Sequence, residues 1–284
     1  MSEDLKRNHH FVPQFWLRRF AGATGQLYSW DGARSKQVGS RSVMAQDWLY
    51  TVYDERWNAS NDLENHLSVL ENKASIAFNN IEQTGQITQS NADPLIDFIA
   101  LQGCRHPDML QRKLALQKEV GEILALSHDM TPSEFEASLD KYGIAAAEAS
   151  NIYKTLKQHD SKSLINEFEI LDGLGLQDSA IPLSDFLDAV TPIANALSHM
   201  NIRLLDAPAN HFFILGDTPV PQNNAFQGFV VPLNKSLAVE FGAASNSPSI
   251  HPRLALSAND VKAINGTQWS MAKKIVVGPD PSAF

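Results

Sequence analysis

From Asn61 onward the apolar residues Leu63, Leu67, Leu70, Ala74, Ala77, Phe78 and Ile81 recur every three or four positions. That is the spacing of a single helix face. It predicts a long helix that starts at Asn61, with Glu64 completing a helix-start box, and ends near Gly85. A second helical stretch follows from about Asp93 to Leu126. It is bent or interrupted near Pro107, because proline withholds the amide hydrogen bond that the preceding turn expects. Thr131-Pro132-Ser133-Glu134 restarts a helix by the same capping chemistry. Helical spacing then continues to about residue 200, including Ile181 to Met200.

The flanks have a different texture. Pro13 is placed to open a short helix within Phe11 to Phe20, and Gly22 and Gly25 break it. Gln26 to Trp30 and Ser35 to Val38 bracket Asp31-Gly32, a pairing suited to a hairpin turn that needs positive φ. After residue 200 the runs Asn201 to Leu205, His211 to Leu215, Phe229 to Leu233 and Ser236 to Phe241 are short, apolar or branched, and punctuated by Pro, Asn and Gly. Ser257 and Asp260 are placed to cap a last helix before Ile275 to Val277. The pattern predicts an α+β fold with an antiparallel or mixed sheet, built from the N-terminal hairpin and the C-terminal strands. The 284 residues are expected to form a single domain, with a helical block at about 61–200 between β-containing segments at about 11–60 and 201–284.

Composition narrows the class rather than the function. The single cysteine, Cys104, excludes an internal disulfide framework and a thiolate-rich zinc site. Met1 to His10 is polar, and no apolar run approaches the ~18 residues of a membrane span, so a cytoplasmic protein without membrane attachment is expected. The formal charge of −9 is unevenly spread. Residues 1–46 hold seven Lys or Arg (Lys6, Arg7, Arg18, Arg19, Arg34, Lys36, Arg41) against three acids, leaving −13 on the remainder. A basic segment on an acidic body suits a phosphate-bearing ligand such as nucleic acid, or an acidic partner protein.

The most distinctive string is Asn8-His9-His10-Phe11-Val12-Pro13-Gln14-Phe15-Trp16-Leu17-Arg18-Arg19-Phe20-Ala21. It resembles the opening signature of the uncharacterised bacterial family catalogued as domain of unknown function 4238. Further resemblances follow in order: Glu64 to Glu71 to the family's first long helix, Gln102-Gly103-Cys104-Arg105-His106-Pro107 to its Gln-x-x-Arg-x-Pro element, Gly216-Asp217-Thr218-Pro219-Val220 to its Asp-x-Pro turn, and Val231-Pro232-Leu233 to its Pro-Leu element. Gly216 departs from the serine expected before the aspartate. The resemblance implies fold and motif order, and carries no activity with it.

The residues themselves suggest chemistry. An imidazole titrates near neutral pH and serves as metal ligand, acid or base. Neighbouring histidines diverge, so one of His9 and His10 is expected in a reactive role and the other in hydrogen bonding or packing. Glu64 and Glu71 share a helix face roughly 10 Å apart in rise, too far to clasp one ion together. Gln102 and His106 fall on the apolar stripe with Leu95 and Ile99, where polar groups need partners. Arg105 is placed to fork onto a carboxylate or phosphate, and a structural network with Asp217 is an equal alternative. Asp217 follows an apolar run and is expected at a strand end, the best single candidate for metal ligation or acid–base work, unless it merely closes its own turn. Asn265 and Trp269, four apart on the last helix, offer an amide and an aromatic wall.

No phosphate loop, dinucleotide fingerprint, His-Glu-x-x-His or Gly-x-Ser-x-Gly elbow is present. Two function classes stand foremost. One is a metal-assisted phosphodiester hydrolase, nuclease-like, with His9, His10, Glu64 and Asp217 around Mg²⁺ or Mn²⁺. In it His10, Asp217 and Arg105 are catalytic, and Arg18, Gln102 and Gln14 bind substrate. The other is a non-catalytic binding or regulatory protein, such as a toxin-neutralising or phage-defence partner, in which the same groups form a structural network. A small-ligand hydrolase without metal is a third reading.

Overall fold

A computed structural model describes residues 5–53, 59–158, 183–222 and 228–284. The helical expectations for residues 159–182 lie outside these. The chain divides into two compact units, one formed by residues 1–107 and 182–284 and the other by residues 108–181. Helices and mixed sheets make the protein α+β, as its patterning predicts.

The first unit opens with strand β1 (Asn8–His10), a single helical turn α1 (Gln14–Leu17) and a 3-10 turn over Arg18–Phe20. Strands β2 (Leu27–Trp30) and β3 (Ser35–Val38) form the expected hairpin, with Leu27 opposite Val38 and Trp30 opposite Ser35. Its turn is longer than two residues: Gly32 takes φ +92°, and Asp31 Oδ1 accepts the amides of Ala33 and Arg34 at 2.9 and 2.8 Å. Two small pairings follow, β1 with β4 (Ala45–Asp47) and β5 (Val52–Tyr53) with β6 (Ala59–Ser60).

Helix α2 (Asp62–Thr84) buries Leu63, Leu67, Ala74, Ala77, Phe78 and Ile81, and Gly85 ends it at φ 67°. The helix-start box does not form. Asn61 Oδ1 instead accepts the amide of Lys6 at 2.9 Å, which ties the N-terminal segment to the head of the helix. Helix α3 (Gln89–Cys104) begins four residues earlier than the apolar pattern alone suggests, because Thr88 and Asn91 make a reciprocal cap. It stops at Arg105, and α4 (Pro107–Ala125) restarts with proline at its first position. The interruption expected near Pro107 is therefore a true break.

Helix α7 (Leu183–Ser198) leads into a four-stranded sheet in the order β11-β7-β10-β9. Strand β7 (Met200–Asp206) pairs antiparallel with β10 (Leu237–Ala244), which pairs antiparallel with β9 (Phe229–Pro232), while β11 (Ile250–Ala255) joins β7 in parallel. A second four-stranded sheet, in the order β3-β2-β12-β8, joins the N-terminal hairpin to β12 (Val276–Gly278) and β8 (Leu215–Gly216). The early hairpin and late strands thus share a sheet, and most late strands form another. The expected strand over His211 to Leu215 is largely irregular, its backbone being engaged by Asn265 of helix α8 (Ala258–Met271). Ser257 and Asp260 cap α8 reciprocally as predicted.

The core is nucleated by aromatics from three elements. Trp16, fully buried, lies edge-on to Phe78 of α2 and Phe98 of α3 at centroid distances of 6.1 and 5.2 Å. Its indole Nε1 donates to the carbonyl of Pro232 at 3.0 Å, so one side chain links the N-terminal turn, two helices and the end of β9.

The second unit contains α5 (Pro132–Asp140) and α6 (Ala146–Leu156), packed through Phe135, Leu139 and Ala149. Thr131 and Glu134 cap α5 reciprocally, and Tyr153 Oη donates to the Met130 carbonyl at 2.6 Å. Among the described residues no helix is long and apolar enough to cross a membrane.

Trp16→Ala removes a buried ring and its hydrogen bond, so urea unfolding should show a loss of about 3–5 kcal/mol. Trp16→Phe, which keeps a ring, should lose markedly less.

Candidate functional site

Successive side chains on a strand point to opposite faces, and β1 separates His9 from His10 in this way. His9 is fully buried. Its Nδ1 accepts the Tyr50 amide at 2.7 Å, which leaves Nε2–H to donate to the Lys6 carbonyl at 2.8 Å. The ring stacks on Tyr50 at 5.7 Å with planes 8° apart. Both nitrogens are spent on backbone. His10 is also buried, and its Nε2 donates to the carbonyl of Ser40 at 3.0 Å, leaving Nδ1 without a hydrogen-bond partner among the described residues. Burial lowers the pKa of each histidine below its ordinary value of 6.5. For His10 the hydrogen bond to Ser40 and the charge of Glu71 pull the other way, while Arg105 and Arg18 add to the lowering.

The break between α3 and α4 places Arg105 beneath these histidines, with its side chain only 1% exposed. Its Nη1 donates to Glu71 Oε1 at 2.8 Å, Nη2 to the His10 carbonyl at 2.5 Å, and Nε to Tyr50 Oη at 3.2 Å. Tyr50 Oη in turn donates to the Arg105 carbonyl at 2.9 Å. With its amide turned so that both atoms find partners, Gln102 donates to the Phe11 carbonyl at 3.1 Å and accepts from Arg105 Nη1 at 3.2 Å. Burial disfavours the guanidinium charge, but Tyr50 and Glu71 outweigh it, and the pKa is raised. Burial likewise pushes the Tyr50 phenol up to about 12. At neutral pH Tyr50 is therefore uncharged, and the ion-pair partner of Arg105 is Glu71.

Glu64 is the group left over. Burial pushes its pKa from 4.5 up to about 7; Arg105 opposes that shift and Glu71 adds to it. Its Oε2 is buried with no hydrogen-bond partner. Gln14 opens α1 and Arg18 opens the 3-10 turn after it, where Arg18 Nη2 donates to Gln14 Oε1 at 2.8 Å in an exposed pair.

Asp217 is elsewhere engaged. Its Oδ1 accepts the Lys273 amide at 2.7 Å, and Oδ2 accepts those of Lys274 and Ile275 at 2.8 and 3.2 Å. Its own amide donates to the Ile275 carbonyl at 3.0 Å. The carboxylate thus fastens the chain leaving α8 onto the edge of β8. The network expected between Arg105 and Asp217 does not form, because Glu71 occupies the guanidinium. Gly216 also has a steric reason: a Cβ there would sit 2.9 Å from the Gln268 carbonyl oxygen, so a serine does not fit. Gln268, fully buried, accepts the Gly216 amide and donates to the Pro219 carbonyl, both at 3.0 Å.

All but one of the sequence motifs therefore meet one another, the Asp217 turn standing apart. His10 and Phe11 carbonyls receive Arg105 and Gln102, Glu71 of the first long helix receives Arg105, and Trp16 reaches Pro232. Of the candidate residues, His9, His10, Glu64, Gln102, Arg105, Arg18 and Gln14 belong to this N-terminal region, and Asp217 to another hydrogen-bond network. Tyr50 and Gln268 carry no sequence signal, since each acts through contacts distant along the chain. Among the described residues no group of three His, Cys, Asp or Glu is arranged to hold a metal ion. With His9 and Asp217 spent on backbone, the proposed ligand set does not fit Mg²⁺ or Mn²⁺.

Residues 8–282 match the family described as Protein of unknown function (DUF4238), nearly the whole chain. No curated protein and no solved structure matches the chain.

Glu71→Ala strands a buried guanidinium, and urea unfolding should show a loss of about 3–5 kcal/mol. Glu64 has a raised folded pKa, so its neutral form favours folding and that contribution fades as pH rises from 4.5 through about 7. Glu64→Gln should match the parent near pH 4.5 and become progressively more stable than it toward pH 7, then level off. The lowered histidine pKa values act oppositely, removing stability as pH falls below 6.5, and equally in both proteins.

Proposed function

We propose that this chain, which belongs to the family described as Protein of unknown function (DUF4238), is a non-catalytic binding protein whose His-Arg-Glu signature is a structural lock. The observation that carries this reading is the consumption of Arg105. A guanidinium bonded at 2.8 Å to Glu71, 2.5 Å to the His10 carbonyl and 3.2 Å to Tyr50 has no donors aimed at an outside phosphate. His9 and Asp217 are likewise engaged with backbone groups.

Recognition falls instead to the exposed basic groups of the N-terminal segment. Arg19 is paired with Glu82, and Arg7 with Asp47. Arg34, Lys36 and Arg41 lie exposed on or beside the β2–β3 hairpin, outside any ion pair among the described residues. These three cations form a local basic patch on a chain of net charge −9, which suits an acidic segment of a partner protein, attracted and oriented at short range by that patch.

A second reading, acid–base hydrolysis without metal, has one observation in its favour: Glu64, with a pKa near 7 and an unpartnered oxygen. A metal-assisted nuclease reading requires ligands other than the set proposed above.

One set of measurements separates these. The binding reading expects no cleavage of DNA or RNA with Mg²⁺ or Mn²⁺ and no metal-dependent shift in melting temperature. It also expects His10→Ala to cost stability, and an Arg34→Glu, Lys36→Glu double variant to keep it. Metal-dependent cleavage that His10→Ala abolishes without loss of stability would overturn the reading.

A further inference from the structure

We infer that a cleft on the first unit, remote in its residues from the His-Arg-Glu lock, is a binding site for a small planar aromatic anion such as an aromatic carboxylate. The cavity measures about 390 Å³, within the range of small-molecule sites. One wall is a continuous face of α8 bearing Val261, Lys262, Asn265, Gly266 and Trp269; Asn210 to Ile214 faces it, and Trp30 closes one end.

Three observations make this a formed site rather than a surface irregularity. Asn265 braces the two walls, accepting the Ile214 amide at 3.1 Å and donating to the Phe212 carbonyl at 2.9 Å, so the width is fixed before any ligand arrives. Gly266 sits inside a helix, where glycine is normally disfavoured, and a Cβ there would meet nothing within 4 Å. The backbone of α8 is thus left bare toward the cavity, which suits close approach of a flat ring. Finally, Trp30 and Trp269 lie 4.4 Å apart with planes 31° from parallel, and Phe284 stacks on Trp30 at 6.0 Å. Trp269 is held in place over Gly32, whose added Cβ would come within 3.2 Å of the indole.

The polar lining fixes the sign of the ligand. No Asp or Glu side chain lines the cleft; Lys262 does, exposed and outside any ion pair among the described residues. His211 Nδ1 donates to the Ala209 carbonyl at 3.1 Å, which leaves Nε2 as an acceptor, so the cation facing a ligand's carboxylate is Lys262. An aromatic body between the indoles and the glycine floor, with its carboxylate toward Lys262, satisfies both halves of the lining. This assignment is independent of the hairpin surface discussed above.

Isothermal titration of the full chain with 2-naphthoate should give saturable binding at one site, and its neutral analogue 2-naphthalenemethanol should bind more weakly. Lys262→Met should weaken 2-naphthoate by about tenfold, the effect of one charge-assisted contact, and leave the alcohol unchanged. Gly266→Leu, whose side chain enters open space, should keep the melting temperature and abolish both. Absence of saturable 2-naphthoate binding, or affinity unchanged in Lys262→Met, would overturn the assignment.

Discussion

Arginine is seldom carried fully out of water, because the hydration it forfeits is recovered only by a complete set of partners. Arg105 has four hydrogen-bond partners, and they come from segments scattered along the first unit: the His10 carbonyl from β1, Glu71 from α2, Tyr50 from the irregular stretch after β4, and Gln102 from its own helix. Each segment is held because the guanidinium requires it. The helix break falls at the same place, α3 ending immediately before Arg105 and α4 restarting at Pro107.

This arrangement accounts for motifs that look like catalytic residues in the sequence. Histidine, arginine, glutamate and aspartate are the vocabulary of active sites, but they are also the groups that satisfy a buried backbone. His9 supplies an acceptor and a donor to two main-chain groups, and Asp217 collects three amides at the end of α8. Glu64 differs in kind. Its buried oxygen has no partner, and it stands between a cation and a second carboxyl group.

Helices were the most legible part of the chain. The stripe from Leu63 to Ile81 and the caps at Thr131 and Ser257 are local signals, and they correspond to α2, α5 and α8. The hairpin at Asp31-Gly32 was legible for the same reason. Sheet partners were not, because pairing β2 with β12 joins residues some 250 positions apart, and no local pattern encodes that choice. Strand β11 escaped notice because most of its residues are exposed and it contains a proline. At the candidate site, Gln102 could be singled out as a polar group on an apolar stripe and Arg105 as its neighbour able to fork onto a carboxylate, whereas Tyr50 and the carbonyls of His10 and Ser40 enter only through tertiary contact. The aromatic cleft was half visible: Asn265 and Trp269 share a helix face, but Trp30 opposite them is reached only once β12 has brought the hairpin alongside.

The bond from Trp16 to the Pro232 carbonyl spans 216 residues of chain. During synthesis at ~5–20 residues per second, the aromatic N-terminal segment leaves the ribosome roughly 10 to 40 s before its acceptor exists. Phe15, Trp16 and Phe20 must spend that interval uncovered by the late sheet, a period in which a holding chaperone has apolar residues to grip. The first unit therefore completes its core only after the intervening helical unit has been made, and the order of translation runs against the order in which its core can close.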